Sequence, residues 1–355
     1  MNKRFSIVDL WKFVASIMIM YHHLFHLGHP FNGKFHGEFT WIYVEFFYIL
    51  TGYFTYKHFY KQQITKKNRD ICKKSLRYTL NKFLPFLPYT TIAISLQYLI
   101  TSPITSLFNN PKLFFGHFYN YPFEVLLIGD AVKMDQMVIP IWFLSAMLLV
   151  FPAVTLICQI KNKYLVLMVS GLYSLFYFGQ ISFGSRTWPN DIFRALGGML
   201  LGVCVFIIAD LIKTKKVKNG QVSFRSSIFL TVIELGGMCF TLAVTLLNMQ
   251  ELDKIIVCVF AVCIGIMLSG YSLTARINSS FISYLGKISL PIFIFHWTIG
   301  TVINKVNEII TLSNPVKLTA YFAGTIIVAI AIYSFVNMIK KRRLKSKLKT
   351  ENPIM

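Results

Sequence analysis

The chain has 355 residues, of which 55% are apolar and 14% charged, with a mean hydropathy of +0.57. That balance excludes an ordinary soluble domain, because the apolar residues fall in uninterrupted runs of about 20, the signature of a polytopic helical membrane protein and not of a barrel. The formal charge of +22 would suggest nucleic acid in a soluble protein, but here the basic residues sit between apolar runs, so membrane orientation explains them and no nucleic-acid partner is expected.

In chain order, apolar runs of spanning length lie near residues 7–27, 39–59, 79–101, 140–159, 164–179, 188–208, 227–247, 252–271, 287–305 and 318–339. The expected fold is therefore all-α, with about ten transmembrane helices. If the N-terminus is cytoplasmic, 27 of the 36 Lys and Arg lie in inward segments, from Lys3 and Arg4 through the block Lys57–Lys82 to the tail from Lys340. Seven lie in outward segments, and Lys12 and Arg194 lie within spans. This asymmetry predicts both termini in the cytoplasm; a multi-pass protein of the plasma membrane is expected. A membrane domain over residues 1–339 and a basic tail over 340–355 are expected, the tail "KKRRLKSKLK" being attracted to anionic membrane lipid. The outer connection 102–139 is dense in aromatics ("LFFGHFYNYPF") and is expected to lie at the interface, where it could offer stacking surfaces to a sugar. The six cysteines show neither a disulfide framework nor zinc-ligand spacing, and no metal is expected.

The first run, "DLWKFVASIMIMYHHLFHLGHP", carries ionisable residues that are costly inside a bilayer. At about 100° per residue, Asp9, Lys12, Ser16 and His23 project within roughly 60° of one another, whereas His22 points about 100° away from His23. Such a stripe must face the bundle interior or a hydrated cavity. By helical rise Lys12 lies near the cytoplasmic third and His23 about 16 Å further out. Glu45 in "YVEFFYILTGYF" and Arg194 in "WPNDIFRALGGMLLG" fall at a similar outer depth. The residues allow a His23–Glu45 contact or a Glu45–Arg194 pair, and Gly198 and Gly202, four apart, suit close helix packing. His296 lies near mid-membrane in "YLGKISLPIFIFHWTIG", where Pro291 should bend the helix; a catalytic and a packing role are both open to it.

Five stretches in order resemble the acyltransferase 3 superfamily of integral-membrane enzymes that move acyl groups from acyl-CoA to extracytoplasmic acceptors. "FSIVDLWKFVASIMIMYHH" resembles the family's opening helix, with Lys12 and His23 matching its basic-x10-His motif. "VEFFYILTGYF" is similar to its acidic-Phe-Phe segment, with Thr51 where Ser is usual. "IWFLSAMLLVFP", which contains Trp142, "FRALGGMLLG" and "YLGKISLPIFIFH" resemble three further helices of the family. The chain departs from the family's Arg-x-x-x-Arg motif, since "LRYTLNKFLPF" supplies only Arg77 and Lys82 before Pro85.

The resemblance implies an O-acyltransferase that uses acetyl-CoA, or another short acyl-CoA, as donor substrate, with no permanently bound cofactor. The acceptor it implies is a hydroxyl of a surface polysaccharide, cell-wall glycan or lipid-linked sugar. Acyl transfer needs a base, groups to stabilise an oxyanion, and anion contacts for the coenzyme. Lys12, Arg77 and Lys82 are the expected phosphate contacts. His23 is the expected general base or acyl carrier, Glu45 its orienting carboxylate, and Arg194 the group that positions Glu45 or polarises the carbonyl. Asp9, Trp142 and His296 are further candidates. Buried His, Glu and Arg also build proton relays, so a proton-coupled transporter or polysaccharide exporter is the competing reading, against which stands the lack of a visible internal repeat.

Overall fold

The structure, a computed structural model, describes residues 5–28, 37–65, 70–102, 109–132, 134, 136–180, 190–216 and 223–351. Several residues counted in the charge asymmetry lie outside these (Lys3, Arg4, Lys34, Lys66, Lys67, Arg69, Lys133, Arg186 and Lys218), as do Trp188 and Pro189 at the start of the sixth run and the last four residues of the tail.

Among the described residues there are helices and no strand. The α-helices are α1 (Ser6–His22), α2 (Tyr43–Thr65), α3 (Ile71–Phe83), α4 (Leu87–Thr101), α5 (Pro111–Val125), α6 (Trp142–Ile157), α7 (Lys163–Gln180), α8 (Asn190–Lys216), α9 (Phe224–Leu246), α10 (Asp253–Ser269), α11 (Ser280–Ile309) and α12 (Asn314–Glu351). Among the described residues, six stretches are long and apolar enough to cross a membrane: Ile139–Ile157, Asn190–Lys213, Phe224–Leu246, Gln250–Ser269, Ser280–Ile309 and Asn314–Arg343. The pair α3 and α4 makes a seventh if counted as one bent span. Of the ten runs expected, α1, α2 and α7 do not reach this standard by themselves. The α-helical part of α1 is only 17 residues long, α2 carries Glu45, Lys57 and Lys61, and the apolar part of α7 is short.

The third run is not the single helix 79–101. α3 begins earlier, at Ile71, and meets α4 at 52° across Leu84–Phe86. Proline explains the break: Pro85 has no N–H to continue the ladder and its ring clashes with the preceding turn, while Pro88 is preset for the first turn of α4. Pro291, by contrast, lies inside α11 without ending it, and the whole helix is 30 residues long. α12 likewise runs unbroken from Asn314 to Glu351, so the basic segment from Lys340 begins as the continuation of a helix.

Two close helix contacts place the site. α2 meets α8 backbone to backbone: a Cβ added to Gly202 would strike the Ile49 carbonyl, one on Gly52 the Met199 carbonyl, and one on Gly198 would come within 2.6 Å of Tyr48 Cβ. Without side chains at these positions the two helices gain the extensive van der Waals contact that holds helices together in lipid. α1 packs on α11 in the same way, where Gly286 leaves room for the Asp9 side chain. α11 is enclosed over most of Ile288–Ile303, whereas α12 exposes most of its surface and lies at the periphery. Part of the connection 102–139 forms α5, which packs on α4 through Tyr98, Phe114 and Tyr121.

Candidate active site

α1 gives way at His23 to a 3-10 turn, His23–Leu27, closed by Gly28 in the left-handed region at φ 79°. The two histidines, expected to point about 100° apart, nevertheless come together. Their rings meet edge to face at 4.9 Å and border the same small pocket. His22 Nδ1 lies 3.4 Å from the Gly37 carbonyl, to which it donates.

His23 and His296 are joined. His23 Nδ1 is 3.0 Å from the Ile19 carbonyl and 3.0 Å from His296 Nε2, while His296 Nδ1 is 3.2 Å from the Ile292 carbonyl. A carbonyl oxygen can only accept, so the neutral rings carry hydrogen on both Nδ1 atoms. It follows that His296 Nε2 turns a lone pair toward His23 Nδ1–H, and that the lone pair of His23 is on Nε2. Both rings are buried, and Trp297 meets His23 edge-on at 5.6 Å while stacking on His26 at 4.0 Å.

Glu45 and Arg194 form the other half of the site. The close approach of α2 and α8 sets the Arg194 Nε–H against Glu45 Oε1, a pair with 3% and 0% of its side-chain surfaces exposed. The expected role of Glu45 as orienter of His23 is therefore not what the geometry provides; the carboxylate is committed to Arg194, and His296 holds the imidazole instead. The guanidinium lies between two indoles, 4.5 Å from the ring centre of Trp41 and 5.5 Å from that of Trp142. Such stacking suits a delocalised cation removed from water. Among the described residues, Arg194 Nη2 and Glu45 Oε2 are buried without a hydrogen-bond partner.

Trp41 and Trp142 join His22, His23, Phe143 and Phe293 around a pocket of only about 10 Å³, close to the minimum for one water. On the other side of a three-ring cluster lies a larger cleft of about 280 Å³. Phe143 and Phe293, 5.4 Å apart, belong to the small pocket; Phe47, 6.1 and 6.3 Å from them, lines the larger cleft. Lys12 and Lys82 line this cleft together with Thr51, Tyr78 and Met147. Lys12 Nζ is 3.3 Å from Asp9 Oδ1, and Lys82 Nζ is 5.3 Å from the Tyr78 ring centre. Arg77 is exposed on α3 and is not one of the residues lining the cleft, so two of the three expected phosphate-binding cations converge and the third does not.

Trp41, in the 3-10 turn Glu38–Ile42 just before α2, was not foreseen from the sequence. The pairing of His23 with His296 spans 273 residues of chain, and no local pattern announces it. No curated protein and no solved structure matches the chain. The family model described as an acyltransferase domain (Acyl_transf_3) does match, over residues 5–334, a stretch that contains both histidines, the buried ion pair and the lysine-lined cleft. This apolar, helical chain therefore belongs to the acyltransferase 3 family.

Proposed function

We propose that the protein is an O-acyltransferase of the plasma membrane, with about ten spans and both termini cytoplasmic, that moves an acetyl group from acetyl-CoA to a hydroxyl of an extracytoplasmic glycan. The lysine-lined cleft receives the coenzyme from the cytoplasmic side, with Lys12 and Lys82 meeting its phosphates. The thioester reaches the outer pocket when the rings of Phe47, Phe143 and Phe293 part. There His23 Nε2 takes the proton of the attacking hydroxyl as the new C–O bond forms. His296 Nε2 and the Ile19 carbonyl, both accepting from Nδ1–H, stabilise the imidazolium that results.

Arg194 supplies positive charge for the oxyanion, held in place by Glu45 and by its two indole neighbours. Collapse of the intermediate breaks the C–S bond, and the coenzyme thiolate leaves with the proton that His23 had taken. Thioester and alcohol thus become ester and thiol, with no other reactant needed. The observation that carries this reading is the hydrogen-bonded His23–His296 pair, which fixes a neutral imidazole with its basic nitrogen on Nε2, beside a caged arginine. The test is His23→Ala: at unchanged membrane abundance, acetylation of the surface glycan, measured by mass spectrometry as one acetyl unit, should vanish. Retained acetylation removes His23 from the chemistry.

A further inference from the structure

His26 shares the 3-10 turn His23–Leu27 with the proposed base and takes no part in the chemistry above, yet three contacts fasten it to α11. Asn304 Nδ2 donates to its carbonyl at 2.7 Å, its Nε2 lies 3.1 Å from Thr301 Oγ1, and its ring stacks on the indole of Trp297 at 4.0 Å with 21° between the planes. Gly300 admits the ring, since a Cβ there would come within 2.8 Å of His26 Cδ2.

The donors and acceptors fix the tautomer. Thr301 has one hydroxyl hydrogen, which it gives to the Trp297 carbonyl at 3.2 Å. Its oxygen is left to accept, from Gln97 Nε2 at 3.1 Å and from His26 Nε2. The neutral His26 ring therefore carries its hydrogen on Nε2, the opposite tautomer to that of His23 and His296. Gln97 brings α4 into the same support.

This support reaches His23 through the indole. His23 is held by hydrogen bonds at Nδ1, which anchor one corner of its ring. Where Nε2 points is then set by the rings that crowd it: His22 at 4.9 Å, Phe25 at 5.8 Å and Trp297 at 5.6 Å, the last standing at 87° to the imidazole. Trp297 is in turn backed by His26, whose own place is fixed by Thr301 and Asn304. Resting on the acyl-transfer reading for its effect on turnover, we propose that His26 is a positioning residue: bonded to Thr301 and stacked on Trp297, it holds the indole against His23 so that Nε2 keeps its aim into the pocket bordered by Phe143 and Phe293.

Two measurements on the full chain in liposomes test this. The first is transfer of labelled acetyl from acetyl-CoA to chemically de-O-acetylated cell-surface glycan. His26→Leu should lower kcat by about tenfold with KM for acetyl-CoA unchanged, because a misaimed base slows the reaction without touching the coenzyme cleft. His26→Gln, whose amide can still donate to Thr301 and lie on the indole, should stay within about threefold of wild type. Should His26→Leu fail to fold, His26→Phe, which keeps a ring on Trp297 and drops the bond, is read in its place. The second is nitrogen-15 NMR of histidine-labelled protein, with His23 and His26 assigned by the signals lost in His23→Gln and in the His26 variants. Wild-type His26 should be protonated on Nε2, and the His23 signals should broaden or split in His26→Leu and return in His26→Gln. His26 protonated on Nδ1, unchanged His23 signals, a change confined to KM, a fall in kcat below about twofold, or equal losses in the Leu and Gln variants overturns the proposal. Wild-type protein that transfers no acetyl while the His23 signals respond as expected sinks the acyl-transfer reading and leaves the positioning standing; transfer indifferent to His26 confines the failure to this residue.

Discussion

Neutralising one member of the Glu45–Arg194 pair should cost more than neutralising both. The two side chains are almost wholly enclosed, so Glu45→Gln or Arg194→Met alone leaves an uncompensated buried charge, a loss of about 3–5 kcal/mol. The unfolding entropy of a 355-residue chain, at about 2.1 cal/mol/K per residue, is about 0.75 kcal/mol/K, so each single variant should melt about 4–7 °C lower. The double variant Glu45→Gln/Arg194→Met keeps the volume and removes both charges, and should recover more than half of that loss. Thermal unfolding of detergent-purified protein, followed by the fraction remaining monodisperse, measures all four melting temperatures. The acyl-transfer assay separates fold from chemistry, because the double variant should be stable and inactive. Melting losses that simply add would refute the buried pair, and activity in the stable double variant would refute the role given to Arg194.

His296→Ala should lower kcat by about a hundredfold with little change in KM for acetyl-CoA, because it removes the acceptor of His23 Nδ1–H without touching the coenzyme cleft. His296→Gln, which can offer an amide oxygen in the same direction, should recover part of it; equal loss in both variants would point to packing alone. Lys82→Ala should weaken acetyl-CoA binding about fivefold to tenfold, near 1–1.4 kcal/mol, whereas Arg77→Ala, outside the cleft, should change it less than about twofold. Isothermal titration distinguishes these, and a larger effect at Arg77 would relocate the coenzyme. Gly202→Leu should abolish folded protein in the membrane, as judged by size-exclusion profile, because its side chain would occupy the space of the Ile49 backbone.

The helical class, six of the ten apolar runs and the Gly198/Gly202 contact were legible because each rests on composition or on a spacing of a few residues. The Lys12–Asp9 pair is of the same kind, one turn apart on one helix. What the sequence concealed depends on changes of backbone regime or on distant chain. His22 borders the same pocket as His23 although a regular 100° step points it away; the break at Pro85 turns one expected helix into two. Glu45, His23 and Arg194 could be set at one depth by counting residues, but depth does not say which two of three will meet. That choice was made by the glycine-mediated approach of α2 to α8, which delivers Arg194 to Glu45 and leaves His23 to its partner on α11.

If the proposed transfer across the membrane holds, the three phenylalanine rings between the lysine-lined cleft and the histidine pocket carry an implication for the cell as a whole. A catalyst whose two reactants arrive from opposite compartments is, in principle, a leak through an energised bilayer. On the proposed mechanism Phe47, Phe143 and Phe293 would interpose an oily plug where a continuous water column would let ions and protons run down their gradients. Shaving that plug to alanine should therefore be felt first as a falling membrane voltage in growing cells, before any change in the glycan.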